Sequence, residues 1–174
     1  TNEIVDEWIS TKESHTVNYL VEGKEYIMRE ISAPYGYEIA EEISFVMGDG
    51  IKVTMQNNPI LKTIQLTKID KETKEIIKEQ FTFGLYVDKE CTKLIQQMDS
   101  NAKEGTITFK DIRYGNYYIK EITAPEGYIL SEKVVKVEIN DKGVFISNKE
   151  IKENEAVYNF EFSNKKMETP KTRR

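Results

Sequence analysis

The sequence has little of what most metal sites and enzyme active sites need. Its 174 residues contain one cysteine, Cys91, and one histidine, His15. A single cysteine excludes an intramolecular disulfide framework and a cysteine-rich metal site, and a single histidine leaves no second imidazole for a metal or a proton relay. We therefore expect no metal and no cofactor, and most familiar enzyme chemistries become poor candidates.

Long apolar runs and clustered basic residues are also absent. No stretch approaches the ~18 apolar residues of a membrane-spanning helix, and the opening residues have no signal-peptide pattern. The 25 basic and 30 acidic residues give a net charge of −5. Because the basic residues are dispersed rather than gathered on one face, nucleic acid is not an expected partner. Hydrophobic residues make up 39% of the chain, which is enough to build a core.

The most informative feature is an internal repeat. Residues 26–37 read Tyr-Ile-Met-Arg-Glu-Ile-Ser-Ala-Pro-Tyr-Gly-Tyr, and residues 117–128 read Tyr-Tyr-Ile-Lys-Glu-Ile-Thr-Ala-Pro-Glu-Gly-Tyr. Each copy is followed by a strand-like run, a glycine turn and a last segment that ends in asparagine. The second copy also has a front part that the first lacks. We therefore predict two modules, residues 1–61 and 62–168, and a polar tail, 169–174, with the first module being the C-terminal part of a longer unit.

The local pattern predicts strands almost throughout. Short segments alternate apolar and polar residues between turn signals and are rich in Val, Ile, Tyr, Phe and Thr. Apart from a single helical turn expected around Ile76, no stretch has a convincing helical period. The predicted strands include Ile43–Val46, Val53–Asn57 and Ile64–Asp70. Regularly spaced short strands favour an all-β fold built from antiparallel β-sandwich modules in tandem, the first of them incomplete.

Three strands of the second module end an apolar row with a polar residue. Every second residue of a strand shares a face, and the three rows are Ile64, Leu66 and Lys68; Tyr117, Ile119 and Glu121; and Phe160, Phe162 and Asn164. The first module repeats two of them, as Tyr26, Met28 and Glu30, and as Val53, Met55 and Asn57. Buried Lys, Glu or Asn side chains are costly unless they are paired, so the three rows predict that their polar ends meet.

Two interpretations of these residues follow. In the first, each polar head lies in solvent at a strand end, or Lys68 and Glu121 form an ordinary ion pair. In the second the three residues react. Because burial lowers the pKa of an amine and raises that of a carboxyl group, such a pair can share one proton as neutral amine and neutral acid. The Lys68 amine is then a nucleophile, the Asn164 amide an electrophile, and Glu121 an acid that polarises the amide oxygen and moves protons to departing ammonia.

The repeated motifs resemble the E-box of Cna B-type (SpaA-like) domains. The opening Leu66-Thr67-Lys68-Ile69-Asp70 and the closing Phe162-Ser163-Asn164-Lys165 also look like that family, whose modules build pilins and adhesin stalks on Gram-positive bacteria. The resemblance implies an immunoglobulin-like β-sandwich with a self-formed Lys68–Asn164 isopeptide bond and Glu121 as the catalytic acid.

The first module departs from the family pattern. It has Glu30 and a candidate Asn57, or the adjacent Asn58, but it lacks the strand that should carry the lysine. Lys12 and Lys24 lie in the wrong segments to replace that lysine. The resemblance therefore implies only an incomplete site in this module.

The resemblance also implies a location and partners. It implies a cell-wall-anchored extracellular protein whose modules neighbour one another and whose only chemistry is a single self-cross-linking turnover. The tail Thr169-Pro170-Lys171-Thr172 resembles the start of a sortase signal, with Arg173 where glycine belongs, so sortase is a candidate partner.

Two rival functions stay open. The first is an adhesin domain that grips a host protein through its loops or an exposed strand edge. The second is an enzyme with turnover that uses Glu121 and another carboxylate, although no second acid occupies a comparable apolar row.

Overall fold

All regular structure in the computed structural model is β-strand, which confirms the all-β prediction. The structure describes residues 3–170, and within them no helix is present that could cross a membrane. The strands are β1 (Glu25–Met28), β2 (Ile43–Val46), β3 (Lys62–Asp70), β4 (Thr82–Tyr86), β5 (Leu94–Asp99), β6 (Thr106–Ile112), β7 (Gly115–Thr123), β8 (Val134–Asn140), β9 (Gly143–Ile146), β10 (Lys149–Ile151) and β11 (Tyr158–Asn164).

The chain divides into two compact units after Asn58. The assignment of residues 1–61 and 62–168 to a partial and a complete module of one family stays a prediction. The sequence that resembles a sortase signal, Thr169–Thr172, extends past residue 170, so its second half lies outside the described residues.

The second unit is a sandwich of two sheets. One sheet has six strands in the order β10-β9-β8-β7-β4-β5, and the other has three in the order β11-β3-β6. All neighbours are antiparallel except β11 and β3, which run parallel with Phe162 opposite Lys68 and Asn164 opposite Asp70. The first and last strands of the unit therefore lie side by side, with β3 at the centre of the small sheet and β11 at its edge. Lys68 and Asn164 are two positions apart in the register of this pair.

Alternation along the strands creates the core of this unit. In β11 every second residue from Tyr158 to Asn164 is buried and each one between them is exposed. Residues of both sheets meet between the layers, where the Phe83 and Phe162 rings pack edge to face with centroids 4.9 Å apart. The helical turn expected around Ile76 is absent, because Ile76 instead pairs with Ile69 in an isolated β-bridge.

A glycine turn after β7 is set by its sequence. The Tyr128 N–H donates to the Pro125 carbonyl at 3.1 Å, and Gly127 between them has φ of 81°. A type II turn needs positive φ at its third residue, which glycine adopts without steric cost. The repeat in the first unit has the same turn, with the Tyr37 N–H on the Pro34 carbonyl and Gly36 at φ of 83°.

The described part of the first unit, residues 3–58, contains one antiparallel strand pair and no fully buried residue. Its β1 and β2 pair with Tyr26 opposite Phe45, and no described residue up to Asn58 is buried. The strand predicted at Val53–Asn57 is wrong: the segment has the expected alternation of half-buried and exposed residues, but it is not assigned as a strand. The corresponding β11 obtains its strand hydrogen bonds from β3, and the first unit has no such neighbour among its described residues.

Candidate functional site

Lys68 lies wholly inside the second unit. Its side chain has no solvent exposure, and its Nζ is 4.4 Å from the centroid of the Phe162 ring and 4.6 Å from that of Phe83. Burial lowers the pKa of Lys68 from 10.5 to about 8, although its hydrogen bond and charge interaction with Glu121 oppose this shift. Burial therefore makes the neutral, nucleophilic form of the amine more accessible than it is for a lysine in water, while the two ring faces attract the ammonium form.

Glu121 is the acceptor on which the site converges. It lies on β7 in the opposite sheet and is 2% exposed. Its Oε1 accepts a hydrogen bond from the Lys68 Nζ, and its Oε2 accepts one from the backbone N–H of Ser131 at 2.8 Å. The Ser131 contact holds one carboxylate oxygen in place while the other faces the amine.

Asn164 completes the group from the end of β11. It is 1% exposed, and its Nδ2 donates to Glu121 at 2.8 Å and to the Ile129 carbonyl at 2.9 Å. Since a carbonyl can only accept, the Ile129 contact fixes the amide with its nitrogen toward Glu121. The Asn164 Oδ1 is buried with no hydrogen-bond partner among residues 3–170.

This amide orientation differs from the expectation that the acid faces the amide oxygen. The carboxyl group of Glu121 lies instead against the nitrogen that would leave as ammonia. In this position Glu121 can deliver a proton to the Asn164 Nδ2 as it leaves as ammonia, which is the second of the two roles expected for Glu121.

The residues that hold Asn164 in this position were missed by sequence reasoning. The Tyr128 hydroxyl donates to Asp70 at 2.9 Å, and the Ile129 N–H donates to the Lys165 carbonyl at 2.9 Å. The loop that begins with the glycine turn is thus attached to the ends of both β3 and β11. The only signal in the sequence was the tyrosine that closes each repeat motif.

Asp70 is the other buried acid of the second unit, and it has a structural task. Its carboxylate accepts hydrogen bonds from the backbone N–H groups of Glu72 and Thr73 as well as from Tyr128. These hydrogen bonds lower the pKa of Asp70. Asp70 therefore stabilises the turn after β3. Its hydrogen-bond partners in the described chain do not include Glu121, so the two acids do not form a carboxylate pair.

The first unit reproduces half of this arrangement. The Asn57 Nδ2 donates to the Glu30 Oε2 at 2.6 Å and to the Glu38 carbonyl at 2.9 Å. The Glu30 Oε2 also accepts the backbone N–H of Ala40 at 2.7 Å. Glu30 and Asn57 are half-buried, and among the described residues no lysine forms an ion pair with Glu30. Lys24 lies instead over the Tyr26 ring.

The arrangement in the second unit can join an amine to an amide. The Lys68 amine and the Asn164 carboxamide both contact the Glu121 carboxyl group. All three groups lie where water is excluded. Groups held together in this way react with effective molarities on the order of 10⁵–10⁸ M. Among the described residues of the first unit, the acid and the amide meet without an amine.

Comparisons with known proteins point to a single family. A sequence model described as SpaA, prealbumin-like fold domain, matches residues 1–59 and 62–155. No curated protein sequence matches the chain.

Solved structures of pilus proteins and of one further bacterial protein share the fold. The Bacillus anthracis TIE protein is 24% identical with a TM-score of 0.59, over 82% of this chain and 25% of that one. The pilus 2b backbone protein of group B streptococcus is 20% identical with a TM-score of 0.50, over 79% and 52%. A C-terminal fragment of the pilus adhesin SpaC from Lactobacillus rhamnosus GG is 14% identical with a TM-score of 0.54, over 86% and 79%. The chain thus spans a quarter and about half of the first two proteins.

Proposed function

The chain belongs to the SpaA prealbumin-like fold family, and from this premise we propose that it is a structural stalk or pilin-like part of a Gram-positive cell-surface protein. Its second unit is stabilised by an amide bond that forms once between Lys68 and Asn164, with Glu121 as the acid. The family membership confirms the resemblance predicted from the two repeat motifs.

One observation carries this proposal. The Lys68 Nζ and the Asn164 Nδ2 both hydrogen-bond to the Glu121 carboxylate, and none of the three side chains is more than 2% exposed. An ordinary buried ion pair explains Lys68 and Glu121, but it gives no reason for a buried amide whose oxygen has no partner in the described chain. Burying an amide oxygen without a hydrogen bond destabilises the fold if the amide has no further role, whereas the same amide is well placed to react.

The proposed reaction balances without a cofactor. A proton passes from the Lys68 ammonium to Glu121, which gives a neutral amine and a neutral acid. The amine nitrogen then bonds to the Asn164 Cγ, and the Cγ–Nδ2 bond breaks as Glu121 moves an amine proton to Nδ2. Ammonia leaves, and an amide joins the two side chains. Because the bond is not reopened, the protein turns over once.

The bond suits a structural protein outside the cell. It ties the first strand of the second unit to the last, and by the loop-entropy relation used for disulfides a ring of about 100 residues contributes roughly 4.7 kcal/mol. It needs no oxidising compartment, in keeping with a chain that has a single cysteine.

Intact-mass measurement tests the proposal. The folded protein is expected to weigh one ammonia less than its sequence, and Lys68→Ala, Asn164→Ala and Glu121→Ala each restore the full mass. Asn159→Ala is the matched control, because Asn159 is an exposed asparagine on the same strand and should leave the deficit unchanged. A full mass in the folded, unaltered protein would refute the bond, and a deficit that persists in Glu121→Ala would refute the role of the acid.

A further inference from the structure

The loop between β7 and β8, residues 124–133, contacts both the acid and the amide of the proposed reaction. The Ser131 N–H donates to the Glu121 Oε2 at 2.8 Å, and the Ile129 carbonyl accepts a hydrogen bond from the Asn164 Nδ2 at 2.9 Å. A flipped amide would set its oxygen against that carbonyl, so that two acceptors would face each other. The β7–β8 loop therefore holds the acid and also determines which end of the amide faces it.

Hydrogen bonds attach the middle of the β7–β8 loop to the small sheet. The Ile129 and Leu130 side chains are 47% and 44% exposed, so they bury little apolar surface. The Tyr128 hydroxyl donates to Asp70 at the end of β3, and the Ile129 N–H donates to the Lys165 carbonyl just after β11. The loop can therefore make both contacts only when β3 and β11 lie side by side.

The first unit builds a matching loop around an acid and an amide that are less buried. Its Glu38 N–H donates to the Asn58 carbonyl at 2.8 Å, and the Glu38 carbonyl accepts the Asn57 Nδ2 at 2.9 Å. The Ala40 N–H donates to Glu30 at 2.7 Å. These three contacts repeat those of the β7–β8 loop one for one. Because Glu30 and Asn57 are only half-buried, the loop itself, rather than complete burial, produces the geometry.

We propose that Tyr128 is a positioning residue for the cross-linking reaction, and that the β7–β8 loop delays the reaction until β11 lies beside β3. The inference rests on the proposed Lys68–Asn164 bond and concerns its timing. The Tyr128 hydroxyl binds Asp70 rather than a reacting group, and it acts through the carbonyl of the next residue, which orients the amide. The step itself is unchanged: the Lys68 Nζ bonds to the Asn164 Cγ, the Cγ–Nδ2 bond breaks, and ammonia leaves with the proton that Glu121 transfers.

Such a delay suits a bond that is not reopened. Lys68 precedes Asn164 by most of the second unit, so the amine is present long before its intended amide during synthesis of the chain. An amide formed with another partner would be permanent. If the acid and the amide are held in place only when the first and last strands are paired, the chemistry follows completion of the sheet.

Timed intact-mass measurement on the full chain tests the inference. The chain and its variants are produced by cell-free translation, samples are quenched in acid at intervals, and the fraction that has lost ammonia gives a rate. Circular dichroism of the purified variants sets a temperature at which all of them are folded. Because a displacement of about 1 Å can slow a reaction by about 100-fold, we expect Tyr128→Phe to lose ammonia about 10- to 100-fold more slowly than the unaltered protein.

Three variants separate positioning from stability. The Tyr117 hydroxyl donates to the Arg113 carbonyl at 2.9 Å, so Tyr117→Phe loses a hydrogen bond of the same length, roughly 13 Å along β7 from Glu121. This control should lower stability comparably and leave the rate unchanged. Asp70→Asn should keep most of the rate, because its amide can still hydrogen-bond to the Tyr128 hydroxyl, whereas Asp70→Ala should slow the reaction. Equal slowing in Tyr117→Phe and Tyr128→Phe would overturn the inference.

Hydrogen exchange followed by nuclear magnetic resonance reports on the amide directly. In Lys68→Met, which cannot react, the Asn164 Nδ2 protons should be protected from exchange with solvent by their contacts with Glu121 and the loop. Adding Tyr128→Phe should remove this protection, and adding Tyr117→Phe should not. Protection that survives Tyr128→Phe would mean that the hydroxyl does not position the amide, and the inference would be wrong.

The timed spectra also distinguish this inference from the proposed function. If the unaltered protein loses ammonia and Tyr128→Phe loses it at the same rate, the inference fails and the proposed function stands. If the folded, unaltered protein never loses ammonia, the proposed function fails, and the proposed timing fails with it.

Discussion

Loss of the proposed Lys68–Asn164 bond should lower the free energy of unfolding of the second unit by an amount that can be calculated. The bond closes a ring of about 100 residues, which by loop entropy is worth roughly 4.7 kcal/mol. Asn164→Ala opens the ring, and the ring accounts for the whole expected loss because the Asn164 Nδ2 that donates to the Ile129 carbonyl has already left as ammonia in the cross-linked protein. For a unit of this size, we expect the melting temperature to fall by roughly 20–40 °C.

A second variant separates the ring from its local contacts. Lys68→Met combined with Glu121→Leu also prevents the bond, but it replaces a buried ion pair by apolar side chains, which is often neutral or stabilising in itself. If chain entropy dominates, this double variant should lose stability comparable to that lost by Asn164→Ala. Asn159→Ala, which keeps the bond, should change the midpoint little.

The stability difference can be measured by guanidinium unfolding, followed by circular dichroism rather than by tryptophan fluorescence. Because the ring keeps the unfolded chain compact, the cross-linked protein should have a smaller dependence of unfolding free energy on denaturant than either variant. It should also migrate faster on a denaturing gel. A protein that lacks one ammonia and yet unfolds at the same midpoint as the variants would refute the stabilising effect of the ring.

Three further predictions concern the surroundings of the site. Phe162→Ala should admit water beside Lys68, raise the pKa of its amine toward the ordinary value and cost about 3–5 kcal/mol of stability, so intact mass followed over time should report slower loss of ammonia. In Asn164→Ala the amine stays free, and the pKa of Lys68 is about 8 in the folded state against 10.5 in the unfolded state. Between these values the unfolded state binds more protons, so denaturant titrations should find the free energy of unfolding rising by up to about 1.4 kcal/mol per pH unit above pH 8. A flat or falling profile would contradict the burial of the amine. Tyr128→Phe removes the hydrogen bond to Asp70 and should lower the free energy of unfolding by about 0.5–1.5 kcal/mol, whereas an unchanged midpoint would mean that this contact does not hold the loop.

Much of the site was predictable because strand alternation is a simple rule. Counting every second residue along three strands placed Lys68, Glu121 and Asn164 at the ends of apolar rows, and in the structure Lys68 and Asn164 both hydrogen-bond to Glu121. The rule works here because each row faces a core that tolerates no unpaired polar group. It required no knowledge of how the strands are ordered.

The supporting contacts could not be predicted in the same way. The orientation of the Asn164 amide depends on the Ile129 carbonyl, whose position follows from the path of a loop after the glycine turn. Likewise, the absence of a strand at Val53–Asn57 depends on a neighbour, since alternation indicates which residues face inward but not whether a partner is present to accept hydrogen bonds.

The parallel pairing of β3 and β11 determines how the second unit responds to tension along the chain. Tension enters at Lys62, the start of one strand, and leaves at Asn164, the end of its neighbour. Without a covalent link it would shear the hydrogen bonds between these strands. With the proposed amide, the load passes from residues 62–68 through the two side chains to Asn164, while residues 69–163 form a closed loop outside the load path. A fibre assembled from such units would keep its length under force until a covalent bond broke.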